Sequence, residues 1–258
     1  MKKPFKIGRR RTKAGLPPGT LIHTGERKIE TPVIRVIAYT LHTFTKSTVE
    51  SVTECEQYRQ QDSVTWINID GLHEIEILES IGEQYHLHPL ILEDILSTNQ
   101  RPKIEIFDEY IFIVSRMLSF SEENGQISDE QFSLVLGSDF VLTFQEKNGD
   151  VFDPVRKRLE NKKSRLRNSK TDYLAYALID AIVDHYFIVL DQLGERIIGI
   201  EESLMTDPGE EIMEEIHSLK REMISLRGAI WPMREVIARI HRGESELFTE
   251  KTLIFLRD

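Results

Sequence analysis

A single cysteine, Cys55, excludes any intrachain disulfide in this 258-residue chain. Long apolar runs are missing as well: the best of them, such as Tyr110 to Val114, are strand-sized and fall far short of the ~20 residues a bilayer crossing needs. No charged-then-apolar leader precedes a small-residue cleavage site, so the sequence reads as a soluble chain facing a reducing cytosol, not as a secreted one. Catalytic signatures are also lacking. His73-Glu74 is followed by Ile77 where a zincin would carry its second histidine, and there is no G-x-x-x-x-G-K-S/T, G-x-G-x-x-G or G-x-S-x-G segment. The chain is therefore not expected to be an enzyme.

What is present is a folding composition, 40% hydrophobic and 29% charged, with room for one large domain or two small ones. The charge is unevenly spread. Met1 to Lys13 holds seven lysines and arginines and no acid, so the rest of the chain carries a net charge of about −17 against the overall −10. A body that negative repels nucleic acid and attracts cations. The basic arm, residues 1–14, reads as a solvated tail that ends at the structure-breaking run Gly15-Leu16-Pro17-Pro18-Gly19.

From there the pattern predicts a strand over Val33 to Tyr39, a helix over Val49 to Arg59 and a strand over Val64 to Ile69, a β-α-β order. A helix over Glu74 to Tyr85 follows, then a short one with Pro89 in its first turn. Alternating segments Lys103 to Phe107, Glu109 to Leu118, Glu130 to Leu136 and Asp139 to Gln145, with turns at Asn124-Gly125 and Gly137-Ser138, predict an antiparallel meander. Asp153-Pro154 reads as an N-cap and an N1 proline, and everything beyond Thr171 as helical.

Two long helices carry a heptad seam. Ile212, Ile216, Leu219, Met223, Leu226, Ile230, Met233, Ile237 and Ile240 recur at alternating spacings of four and three, and Tyr186, Leu190, Leu193, Ile197, Ile200 and Leu204 answer them. Thr206-Asp207-Pro208-Gly209-Glu210 supplies a turn, so the pair is expected to form an antiparallel hairpin over 171–242, bent near Trp231 by Pro232.

Acidic residues are the candidate chemistry. In His88-Pro89-Leu90-Ile91-Leu92-Glu93-Asp94-Ile95-Leu96 two adjacent carboxylates sit inside an apolar helical turn, where ionised groups need a cation or hydrogen-bond donors. On the first long helix Asp180, Asp184 and Asp191 share one stripe, and apolar neighbours around Asp180 and Asp184 suit partial burial at a subunit contact. A solvated face is the competing reading of that stripe. Sparse carboxylates suit magnesium, which keeps several of its waters. His86 and His88 lack zinc-ligand spacing and read as structural; the lone His185 beside Asp184 is a poor ligand, and the acids crowding 201–215 read as exposed helix-end charge.

The run HPLILEDIL, followed by QRPKIEIFDEYIFIV, with Trp66-Ile67-Asn68-Ile69 upstream and Phe144-Gln145-Glu146-Lys147 and Val151-Phe152-Asp153-Pro154-Val155-Arg156 downstream, resembles the cytosolic part of the CorA family of magnesium and cobalt transporters. The resemblance covers roughly Gly15 to Asp258. It implies an α/β fold: an αβα sandwich with a mixed parallel and antiparallel sheet, then the helical hairpin, with residues 15–243 as one funnel domain and 244–258 as the start of a truncated stalk helix. It further implies Mg2+ or Co2+ as regulatory and transported ion, a homopentamer, and a missing C-terminal membrane region with a Gly-Met-Asn motif. The chain would then lie on the cytoplasmic side of the cell membrane. Metal sites between subunits are implied at Asp94 facing Asp258, with Glu93 and Asp180 in an adjoining site and Asp184 nearby. A zinc transporter of the same superfamily and a soluble helical-hairpin scaffold stand as alternatives.

Overall fold

The computed structural model describes residues 15–120, 127–206 and 209–257. Its centre is a seven-stranded sheet of β1 (Val33–Tyr39), β2 (Phe44–Val49), β3 (Val64–Asp70), β4 (Lys103–Ile106), β5 (Ile111–Phe120), β6 (Ile127–Leu136) and β7 (Phe140–Gln145), in the spatial order β2-β1-β3-β7-β6-β5-β4. Among the described residues only β3 and β7 pair in parallel. The other pairs are antiparallel, so β4 to β7 form the expected meander. Every residue of β3 and of β7 is buried, as strands covered on both faces require.

Helices cover both faces. On one lie α1 (Ile75–Gln84) and α2 (Pro89–Leu96), packed through Leu78, Ile81, Ile91 and Ile95 on Ile67, Phe112, Val114 and Phe144. On the other lie α3 (Asp153–Glu160), α4 (Thr171–Thr206) and α5 (Glu210–His241), packed on Trp66, Ile113, Phe132 and Val141. Alternate strand residues point to opposite layers, giving the αβα sandwich with a mixed sheet. Each large side chain so buried contributes about 1.5–3 kcal/mol.

The β-α-β order is corrected. β1 and β3 are antiparallel neighbours, and Val49 to Arg59 holds the end of β2 and a 3₁₀ turn over Thr53–Tyr58 instead of a crossover helix. β2 escapes a reading based on apolar alternation because it is an edge strand: Thr45, Lys46 and Thr48 face solvent, and an exposed lysine also blunts edge pairing. Asp153 is not the cap of α3. Phe152 holds that position, its amide bound by Asp150 Oδ1 at 2.9 Å, and Asp153 sits in the first turn paired with Arg156. Residues 242–249 are not helical, and α6 (Glu250–Leu253) is one turn continued by a 3₁₀ segment over Ile254–Arg257. The Asn124-Gly125 turn and Pro208 lie outside the described residues, while α5 continues through Pro232.

The hairpin forms, joined across its helices by Arg196 to Glu222 at 2.8 Å and Glu215 at 3.4 Å. Its expected seam holds in part. Tyr186, Val189, Leu193 and Ile200 are buried on α4, whereas Leu190 and Leu204 are exposed; on α5 Leu226, Met233 and Ile240 are buried and Met223 is exposed. α4 is long and apolar enough by composition to cross a membrane, and half of its most apolar stretch is buried in this fold.

Candidate metal-binding surface

α2 begins where His88 Nδ1 accepts a hydrogen bond from the Leu90 amide at 3.2 Å and Pro89 follows in the first turn. The His88 ring also stacks on Phe107, and its amide donates to Tyr110 Oη at 2.9 Å, so this histidine has a structural job. Helical periodicity turns Ile91, Leu92, Ile95 and Leu96 into the core and leaves Glu93 and Asp94 half-buried at its margin.

Both carboxylates are met from within the chain. Glu93 Oε2 accepts from the Gly19 amide at 2.7 Å; Gly19 has φ +82°, and a Cβ there would stand 3.2 Å from Pro89 Cβ, so glycine is needed for this approach. Asp94 accepts from Gln100 Nε2 at 2.6 Å and pairs with Lys103 Nζ, which is shared with Glu105. Burial disfavours the Lys103 ammonium, yet hydrogen bonds to Asp94 and Glu105 outweigh it and raise its pKa above the usual lysine value. The Asp94 side chain remains about one-fifth exposed.

Buried polar side chains behind α2 hold the backbone of Asp94 and Gln100 in place. Gln131 on β6 donates to the Asp94 carbonyl at 3.0 Å and accepts from the Gln100 amide at 3.0 Å. Its neighbour Glu130 accepts from the amides of Glu146 at 2.6 Å and Lys147 at 2.9 Å. Burial pushes the Glu130 carboxyl above its ordinary pKa, opposed by those amides and by the charges of Lys147 and Lys28. Of these partners, Gln100 and Lys103 follow Asp94 closely in the sequence, which is a signal, but Gln131 is recognisable only after β6 has been placed under α2.

Asp180 lies half-buried on α4 and accepts from Tyr176 Oη at 3.3 Å. Asp184 and Asp191 are exposed, and burial holds His185 below the usual histidine pKa, towards its neutral form. Since α2 and α4 cover opposite faces of the sheet, one chain keeps Glu93 and Asp94 apart from Asp180 and Asp184. Among the described residues no three potential metal ligands converge. Asp258 lies outside the described residues, as does Asp207 among the acids of the hairpin tip; Glu201, Glu202, Glu210, Glu211, Glu214 and Glu215 there are exposed. The available donors are carboxylate oxygens at partly wet positions, a set that suits a hydrated hard cation.

A mixed seven-stranded αβα sandwich carrying a helical hairpin is a fold this chain shares with solved CorA proteins. The chain superposes on the soluble domain of CorA from Methanocaldococcus jannaschii with a TM-score of 0.69 at 18% identity, covering 86% of this chain and 85% of that one. On the complete CorA magnesium transporter from the same organism the TM-score is 0.68 at 17% identity, covering 86% of this chain and 68% of that one. In sequence, residues 61–258 match the CorA-like Mg2+ transporter protein family. The chain is 41% identical over 246 residues to the cobalt/magnesium transport protein CorA of Thermotoga maritima, covering 95% of this chain and 70% of that relative's length. The chain belongs to the CorA-like Mg2+ transporter family, whose members are transporters and not enzymes.

Proposed function

We propose that this chain is the cytoplasmic regulatory part of a Mg2+ or Co2+ transport channel and that it binds the ion between neighbouring copies to gate the pore. The observation that carries the reading is the separation of the acids. Glu93 and Asp94 sit half-buried at the margin of one layer and Asp180 at that of the other, so a second copy is required to bring them against a common ion. In a ring of five copies, Asp94 of one subunit would meet Asp258 of the next, with Glu93, Asp180 and Asp184 around the adjoining position. Divalent ions at these contacts hold like-charged surfaces together and favour the closed arrangement; when internal magnesium falls, repulsion loosens the ring. The ion is both regulator and cargo, and the pore itself belongs to a membrane region beyond these residues.

A hard ion is favoured over zinc by the donors: oxygen ligands at the carboxylate margins, with the one cysteine buried and His88 committed to capping. The test is calorimetric titration with magnesium chloride of the wild-type chain and Asp94→Asn. Asparagine keeps the Gln100 contact and removes the charge, and the expected result is at least a tenfold loss of affinity, about 1.4 kcal/mol. Equal affinity in the two proteins would remove Asp94 from the site and the reading with it.

A further inference from the structure

The last described helix is fastened to α4 at two points of different stiffness. At the first, the buried Asp172 carboxylate accepts through Oδ2 from the Thr249 amide at 3.1 Å, the Thr249 hydroxyl at 2.7 Å and the Thr252 hydroxyl at 2.7 Å, while Oδ1 accepts from the Tyr173 amide at 2.8 Å. Thr249 is the N-cap residue of α6, yet its hydroxyl is directed to Asp172 and makes no cap bond. Three charge-assisted bonds to one carboxylate oxygen make this a firm pivot.

At the second point, six residues beyond Thr249, Phe255 meets two tyrosines edge-on and tilted. Its ring centroid stands 5.4 Å from Tyr173 at 90° and 5.8 Å from Tyr176 at 35°, with the Arg165 guanidinium 4.9 Å from the Phe255 centroid. Both Phe255 and Tyr176 are only half-buried, and such ring contacts tolerate sliding more than a hydrogen-bonded pivot does. The Tyr176 hydroxyl reaches one helical turn along α4 to Asp180 Oδ1 at 3.3 Å, long for an O–H···O bond and correspondingly weak.

We infer that Tyr176 is a positioning residue that transmits occupation of the Asp180 carboxylate to the final helix. A cation on Asp180 competes for the oxygen that orients the Tyr176 hydroxyl, the ring resettles, and Phe255 follows it while Thr249 stays held by Asp172. The segment therefore swings about its N-terminal end. This rests on the ion-binding reading of Asp180 given under Proposed function, but the route through Tyr176 is separate from it and is tested separately.

The experiment measures amide hydrogen exchange of residues 249–257 in the whole chain, with and without magnesium chloride, in wild type, Tyr176→Phe and Asp172→Asn, with magnesium affinity measured by calorimetry on the same samples. In wild type, magnesium is expected to change exchange in this segment by roughly tenfold, within the usual 5–150-fold range of site-to-site coupling. Tyr176→Phe keeps both ring contacts and removes the hydroxyl that competes with the ion, so it is expected to bind magnesium no more weakly than wild type while losing that response, a split a merely structural residue would not produce. Asp172→Asn is expected to speed exchange of the segment whether magnesium is present or not. A full magnesium response in Tyr176→Phe overturns the route. Wild-type binding of magnesium with no change at 249–257 overturns the coupling and leaves the ion-binding reading standing, whereas no wild-type binding at all sinks that reading and the coupling together.

Discussion

Lys103 already gives Asp94 a positive charge inside one chain, so at the proposed metal site a divalent ion from solvent would meet a resident competitor. An ion pair at this degree of exposure is worth up to about 1 kcal/mol. Replacing Lys103 by methionine keeps much of the aliphatic stem and removes the competitor, and magnesium affinity is expected to rise about fivefold in a calorimetric titration. An unchanged or weaker affinity would show that the ammonium does not contend with the ion. The acids themselves were legible in the sequence because two charges interrupt an apolar helical turn. Their partners were only partly so. Lys103 lies in the same signature as Asp94, but Gln131 comes from a strand 37 residues away, and spacing along the chain says nothing about that approach. Arg167 is another residue that sequence reading passed over. It is buried and donates to the carbonyls of Thr40 at 2.6 Å and Leu159 at 2.8 Å, with a third bond to Thr43, tying the β1–β2 hairpin to the end of α3.

The hairpin shows what periodicity can and cannot predict about an element. Alternating spacings of four and three announce two long helices that turn an apolar stripe inward, and both exist. The expected seam on α4 presumes that only α5 faces it. Over its first half α4 also packs on the sheet, against residues such as Phe132 and Leu134, so the buried face takes in Ile182 and Val189 beside the expected Tyr186 and Leu193. A straight helix of 3.6 residues per turn also slips about 20° per heptad from a 3.5-residue repeat. The consequence is measurable by chemical denaturation. Leu193→Ala, which empties a site 3% exposed, is expected to cost about 2–5 kcal/mol, whereas Leu190→Ala, at a site 40% exposed, is expected to stay within about 0.5 kcal/mol. Comparable losses at the two positions would return Leu190 to the buried seam. The missed β2 has the opposite cause: an edge strand with solvent on one face and little core on the other carries almost no apolar pattern.

At the scale of the whole molecule, a net charge of −10, more negative still without the basic arm, opposes the close approach of like copies. Bridging and screening predict different responses to salt. If ions join carboxylates of neighbouring copies, millimolar magnesium chloride is expected to shift the sedimentation coefficient upward, and sodium chloride of equal ionic strength is not. Equal shifts would reduce the ion to a screening agent. The amino-acid sequence by itself determined the sheet meander, the long hairpin, the family, and the two acids in an apolar turn, because each of these is written in local periodicity or in a contiguous signature. Only the tertiary structure decided that β1 and β3 run antiparallel with β2 outside them, that Lys103 and Gln131 serve Asp94, and that Asp180 lies across the sheet from it. Those facts depend on which segments pack together, and packing is settled by the burial of both sheet faces at once, a constraint that no window along the chain contains.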